Sequence, residues 1–367
     1  MISEDIFNAK KDDYENTPLF LGSKPGLLDT INKQYPELWR LYFLMKSLDW
    51  DHNEFDYKSC IAEFQTCSKT EYEIMIKTLA WQWEADSIAA NSIAPIVAPF
   101  VSSTELWALW SAISVNEILH GLTYSEIVAG SFNDGKAAMA SVLGEVEALQ
   151  RMKTVAHAMT NVKKMSANLT LGNIARDSNE ARDAIMLFTV ALLALERIQF
   201  MSSFAITFAF AEAGMFLPIG KAVQKICNDE YNVHVPTGKE ILRIERSTKI
   251  GSASFERIKP LATALIDEVV TSELKWTENH LFQGDRQLVG CTCEDIKNWV
   301  LFGANDVYNT LGIKNNFKIV GKNPLGYITE WISINSQQVS PQEEKTGNYL
   351  LGGFKNNTDG KKYDLDF

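Results

Sequence analysis

Between residues 33 and 310, apolar side chains return every three or four positions, the period of helices that bury one face. Glycine and proline punctuate this pattern. They predict long helices near 70–94, 102–129, 136–170, 178–212, 219–247, 252–284 and 292–311. Pro95 and Pro99 are expected to close the first, Gly130 the second, and the 214–218 stretch to separate two more. No pair of alternating strands and no internal repeat stands out, so the fold class is all-α. Helices this long and apolar suit a bundle rather than a solenoid. Three regions are expected: an extended N-terminal arm over 1–32 with PLFLG (18–22) as a docking segment, a helical bundle over 33–335, and a tail over 336–367. The tail is polar and glycine-rich and ends KKYDLDF. It cannot build a core of its own; it is either a frayed terminus or a flexible peptide that docks on a partner through anchors such as Leu365 and Phe367.

Composition narrows the function classes. Net charge is −11 and the isoelectric point about 5.1, which argues against nucleic acid as a partner. Five cysteines, odd in number and scattered, suggest no disulfide framework and fit a reducing cytoplasm. The opening MISEDIFNAKKDDYEN is too acidic and polar for a secretory signal. The apolar run 185–211 has membrane-spanning length, but Glu196 and Arg197 interrupt it, so a buried core helix is expected and no membrane.

That interruption leads to the chemistry. Asp86, Glu117, His120, Glu196, Glu230 and His234 all sit in apolar, helix-patterned surroundings. Glu117 and His120 are three apart and share a face with Tyr124; Ile226, Glu230 and His234 share another, as do Glu196, Phe200 and Phe204. An unpaired buried carboxylate is very costly. Two divalent cations would balance the four carboxylates, and mixed imidazole and carboxylate donors at a dry site suit iron or manganese better than magnesium or calcium. One carboxylate from each of two helices, with a Glu/His pair from each of two more, is the scheme of two-metal carboxylate bundles. A lone Glu-x-x-His is more often a surface pair; two Glu/His groups with two further carboxylates reverse that balance. Tyr124 reads either as a core tyrosine bonded to a ligand carboxylate or as an oxidisable phenol, walled from water by Phe200, Phe204 and Ile226.

These residues resemble the small, radical-generating (β) subunit of class I ribonucleotide reductase. The likeness runs from PLFLG through Trp50, Asp86-Ser87-Ile88, Glu117-Ile118-Leu119-His120, Tyr124, Leu195-Glu196-Arg197-Ile198-Gln199-Phe200, Ser203-Phe204 and Asp229-Glu230 to Glu343 and Tyr349. It implies a homodimeric, ferritin-like bundle holding two metal ions per chain. Iron comes first, with two manganese ions or a mixed Mn/Fe pair as alternatives. Asp86, Glu117 and His120 would hold one ion and Glu196, Glu230 and His234 the other, with bridging carboxylates between. Oxygen chemistry there would oxidise Tyr124. A transfer path would map onto His120, Asp229, Trp50 and Tyr349, with Glu343 near the interface to the large (α) subunit. An activating flavoprotein is a further candidate partner.

One departure stands out. The family pattern in the second group is Glu-x-x-His, but here it is Glu230-Tyr231-Asn232-Val233-His234. Either a regular helix keeps His234 on the Glu230 face, or a π-bulge absorbs the extra residue. Pro236 makes local distortion expected. Two other functions compete, a stand-alone dimetal oxidase and a ferritin-like metal store. Neither gives Trp50, Glu343 and Tyr349 a purpose.

Overall fold

Side chains that cap helix ends set where the long helices begin. In the computed structural model, which describes residues 7–8, 16–144, 146–284 and 286–334, Ser68 and Glu71 form a reciprocal capping box that opens α3 (Lys69–Val97). Ser103 accepts from the Leu106 N–H to open α4 (Thr104–Ser131). Ser178 does the same for the 34-residue helical stretch Asn179–Glu212. Thr292 and Asp295 box the start of α12 (Cys293–Leu311), which ends on Gly312 at φ 61°, a left-handed conformation that glycine adopts without a Cβ clash.

The remaining helices are α1 (Pro36–Ser47), α2 (Lys58–Thr66), α5 (Gly135–Leu143), α6 (Val146–Thr170), α7 (Asn179–Ala194), α8 (Met201–Glu212), α9 (Leu217–Asp229), α10 (Val235–Ser247), α11 (Lys249–Trp276) and the short α13 (Ile328–Trp331). Helix α3 lies along α4 and α6, and α7 packs against α6, α10 and α11. Among the described residues only two isolated β-bridges occur, Phe20 with Val101 and Leu288 with Cys291. The all-α, ferritin-like bundle is therefore as expected.

Three helix boundaries differ from expectation. Pro95 lies inside α3, which runs on to Val97; so near a helix end, its missing N–H removes one ladder bond and does not stop the chain. Helix α4 likewise passes through Gly130 to Ser131. The single helix expected over 136–170 is two, because α5 stops at Leu143 with Gly144 as its cap.

Residues 18–22 do dock. Leu19, Phe20 and Leu21 are buried, the Leu21 N–H donates to the Phe100 carbonyl at 2.7 Å, and the Ser102 N–H donates to the Leu19 carbonyl at 2.9 Å. Each buried apolar side chain contributes about 1.5–3 kcal/mol, against roughly 1–2 kcal/mol per residue to order the backbone. The apolar stretch Asn179–Glu212 is long enough to cross a membrane, yet 89% of its most apolar window is buried inside the fold; it is a core helix. All five cysteines are free thiols.

A buried ion cluster joins five elements behind this helix. Arg151 of α6 donates to both Glu273 oxygens, at 2.9 and 2.5 Å. Its guanidinium lies 3.9 Å from the Trp81 ring and 3.5 Å from the Trp276 ring. Glu273 also accepts from Gln199 at 3.1 Å and Ser202 at 2.7 Å. Removing one member of a buried pair leaves the other uncompensated. Glu273→Ala is therefore predicted to cost about 3–5 kcal/mol, whereas Glu37→Ala, breaking the exposed pair with Arg40, should cost under about 1 kcal/mol. Denaturant unfolding at fixed protein concentration measures both, and equal small losses would show that the cluster does not tie these helices together.

Candidate dinuclear metal site

The six candidate ligands converge from α3, α4 and two π-helical turns. Leu195–Phe200 is π-helical and carries Glu196; Glu230–His234 is π-helical and carries both Glu230 and His234. The second turn resolves the spacing question. The Val235 N–H reaches back five residues to the Glu230 carbonyl, so the helix absorbs the extra residue as a bulge. Pro236 has no N–H to offer the Asn232 carbonyl four residues back, which removes one competitor of the wider ladder. In the first turn, side chains meet the loosened carbonyls. Ser202 and Ser203 donate to the carbonyls of Gln199 and Phe200 at 2.8 Å each, and the Trp299 indole donates to that of Met201 at 2.8 Å. Gly303 lets α12 approach this turn, since a Cβ there would stand 2.8 Å from the Arg197 carbonyl oxygen.

The donor atoms form two overlapping sets. One is Asp86, Glu117, His120 and Glu230; the other is Glu117, Glu196, Glu230 and His234; within each, the atoms lie within 4.8 Å of one another. Glu117 and Glu230 belong to both, the placement two bridging carboxylates require. All six side chains are buried. His120 Nδ1 is 3.1 Å from a Glu230 oxygen and 3.6 Å from a Glu117 oxygen, and His234 Nδ1 is 2.6 Å from the other Glu230 oxygen and 3.3 Å from the other Glu117 oxygen. Yet both Nδ1 atoms and all the oxygens of Asp86, Glu117 and Glu230, with Glu196 Oε2, lack a hydrogen-bond partner. They are aimed at common centres rather than at one another. Separations near 3 Å are what two ligand bonds of about 2.1 Å at right angles give, so the donor set fits a pair of cations.

The electrostatics agree. Burial, then the neighbouring Glu117, holds the Asp86 carboxyl well above its usual range, and burial, then Glu230, does the same for Glu196. Burial opposes charge on the histidines, but the Asp229 contact and the nearby Glu117 and Glu230 carboxylates outweigh it at His120, and Glu230 and Glu117 raise His234 to about 10. Both shifts favour protons as the counter-charge inside the cluster. A metal would displace those protons.

Outside the donor set, the Asp229 Oδ2 atom accepts from the Trp50 indole at 2.8 Å and lies 3.1 Å from His120 Nε2. The Trp50 and His120 rings stack at 6.2 Å. His120, Asp229 and Trp50, expected together, are in direct contact. Tyr124 is fully buried one turn after His120, and its hydroxyl has no hydrogen-bond partner; the expected alternative of a tyrosine bonded to a ligand carboxylate is not what is found. Burial, then Asp86, raises its phenol well above the usual range. Phe200, Phe204 and Ile226 are fully buried in the same apolar cluster, and the two phenylalanine rings stack at 5.6 Å. The regular-helix register expected between Glu196 and Phe200 is replaced by the π-turn. Tyr231 faces the Arg197 guanidinium at 5.8 Å. Glu343 and Tyr349 lie outside the described residues, as does the 336–367 tail. Asn116 was not singled out from the sequence, where it reads as an ordinary polar residue on α4; it donates to Asp229 at 2.9 Å and lies 3.1 Å from His234 Nε2.

Fold and site together define a helical bundle of the two-metal carboxylate class. The chain belongs to the ribonucleotide reductase, small chain family, whose profile matches residues 29–324. It is 25% identical to the ribonucleoside-diphosphate reductase subunit beta of Buchnera aphidicola subsp. Baizongia pistaciae, over 98% of this chain and 99% of that one. In fold it resembles the ribonucleotide reductase R2 subunit from Clostridium botulinum (TM-score 0.72, 18% identity, 87% and 95% covered) and the Streptococcus sanguinis dimanganese(II)-NrdF (TM-score 0.61, 14% identity, 81% and 96% covered). Its function is that of the small subunit of this oxidoreductase, radical generation for the large subunit that reduces ribonucleotides.

The shared carboxylates generate a prediction. Glu117→Ala removes a donor from both sets and should abolish tight binding of both ions, whereas Asp86→Ala should weaken only one. Metal content per chain and Mn(II) titration separate the two; identical loading of the variants would mean that Glu117 is not shared.

Proposed function

We propose that Asp86, Glu117, His120, Glu196, Glu230 and His234 hold two redox-active metal ions and that Tyr124 carries the radical. The observation behind this reading is the pair of overlapping donor sets that share Glu117 and Glu230, with an unbonded, fully buried tyrosine one turn from His120. Bound there, the ions supply oxidising equivalents from an oxygen species. Tyr124 would give its electron to that centre and its phenolic proton to the oxygen species reduced there. The dry surroundings of Phe200, Phe204 and Ile226 keep reductants and water away from the phenoxyl, which gives it a long life.

Iron is the first assignment. A manganese pair, as in the Streptococcus sanguinis dimanganese(II)-NrdF, or a mixed pair would use the same donors. His120, Asp229 and Trp50 form the inner part of an electron and proton path, since hydrogen-bonding contacts connect the ring of a metal ligand to an indole. Tyr349 continues it, and Glu343 and the tail meet the large subunit. The chain works as a homodimer in the cytoplasm, with a flavoprotein supplying the oxidant if manganese is used. A metal store or a stand-alone oxidase would have no use for the Trp50–Asp229–His120 connection.

Tyr124→Phe removes only the hydroxyl. Metal loading should stay at two ions per chain, while the tyrosyl signal in electron paramagnetic resonance and turnover with a large subunit disappear. A wild-type radical signal in this variant would move the radical elsewhere, with Tyr231 the next candidate.

Docking and transfer separate in the tail. Deleting 350–367 should leave Tyr124 oxidation intact and severely weaken binding to the large subunit. Tyr349→Phe keeps the anchors and loses an oxidisable hydroxyl, so affinity should stay near normal while nucleotide reduction fails. Titration of subunit affinity beside turnover tests both; full turnover in Tyr349→Phe would take that residue off the path.

A further inference from the structure

We propose that Asn116 is a positioning residue that fixes the tautomer of His234 and ties it, through Asp229, to His120. This rests on the dinuclear reading above. Asn116 is 9% exposed and belongs to neither donor set. Its carboxamide spans two partners: the nitrogen donates to Asp229 Oδ2 at 2.9 Å, and the oxygen stands 3.1 Å from His234 Nε2. The reverse orientation would set the amide oxygen against a carboxylate, so Asp229 fixes which end faces which partner. An oxygen that faces Nε2 needs a hydrogen there. When His234 serves as a ligand it therefore keeps its proton on Nε2 and offers the Nδ1 lone pair, and Nδ1 is the atom turned toward Glu117 and Glu230. His120 follows the same logic directly, with Nε2 on Asp229 and Nδ1 turned inward. One carboxylate oxygen thus orients both metal-facing imidazoles, one by contact and the other through an amide.

The amide at 116 spans the gap between the two imidazoles, whose rings lie 5.8 Å apart and tilted by 28°. Asp229 Oδ2 already receives Trp50 and faces His120, and the side chain of Asn116 supplies the bridge from that oxygen to the second ring.

The test uses the full-length protein. Asn116→Leu keeps the approximate volume and removes both hydrogen bonds. Alanine is avoided because Asn116 also lines a surface pocket with Trp107, Val115 and Leu119, from which water could take the amide's place. Mn(II) titration should show one of the two ions bound about 10–100-fold more weakly, the usual cost of losing a histidine's outer partner, with the other ion little changed and the melting temperature of the metal-free protein near wild type. A wild-type chain that binds two ions tightly and an Asn116→Leu chain that binds them equally well would overturn this assignment and leave the dinuclear reading standing. A wild-type chain that binds fewer than two would overturn both. If the variant does not fold, the zinc-loaded wild-type protein decides. Long-range proton–nitrogen correlation should show His234 with a slowly exchanging hydrogen on Nε2 and zinc on Nδ1; the opposite tautomer would sink the proposal.

Discussion

Four carboxylates packed into one dry space repel one another, and much of this fold is arranged to hold them there. Asp86, Glu117, Glu196 and Glu230 come from distant parts of the chain and are all buried. Burial and this repulsion hold the Asp86 and Glu196 carboxyls well above their usual range. Ion pairs to arginine do not relieve them. The two buried arginines nearby on the sequence map are committed elsewhere, Arg151 to Glu273 and Arg197 to Asp306 at 2.7 Å. What faces the carboxylates is imidazole, with both Nδ1 atoms turned inward. Such a cluster is stable as a cation site and costly as anything else, so the same repulsion that would destabilise an ordinary core becomes affinity for divalent metal.

Holding that geometry takes backbone irregularity, and the surroundings over-determine it. Both ligand-bearing segments beyond α4 are π-helical. Such turns widen the ladder and free carbonyls that must find donors. Ser202, Ser203 and the Trp299 indole provide them around Glu196. Around Glu230, the Thr237 hydroxyl donates to the Val233 carbonyl at 2.7 Å and the Asn232 amide to the Asn228 carbonyl at 3.0 Å. The Arg151–Glu273 cluster then locks the first turn from behind, because Gln199 within that turn donates to both the Arg151 carbonyl and Glu273. Precision at the ligands comes from these outer bonds as much as from the ligands themselves.

This division explains what could be read from the chain alone. The convergence of these six side chains was legible because a polar, ionisable residue on an apolar helical face contradicts its setting, and six such contradictions have one common remedy. The bulge at Glu230–His234 was legible as one of two options, since the extra residue and Pro236 both disturb a regular ladder. The π-turn at Leu195–Phe200 left no such mark: no proline and no altered spacing accompany it, and its donors come from serines that read as filler and a tryptophan about a hundred residues away. Asn116 and the Arg151–Glu273 pair escaped for a related reason. Their meaning lies in partners 113 and 122 positions distant, and periodicity carries no information about such pairs. The end of α5 falls at Gly144, and a single glycine within a helical pattern is often tolerated.

Tyr124 and Trp50 stand in contrasting polar surroundings, and the proposed division between storage and transfer rests on that contrast. Each ring is buried and within reach of the metal ligands, but their polar atoms are treated differently. The Tyr124 hydroxyl has no hydrogen-bond partner, so no protein group is in place to return a proton to it. The Trp50 nitrogen is bonded to Asp229, whose same oxygen meets His120. Isolation makes a phenoxyl slow to be reduced; connection lets charge leave the ligand shell without a proton being stranded in the core. On the proposed assignment, the oxidising equivalent would persist at the isolated ring and depart through the connected one.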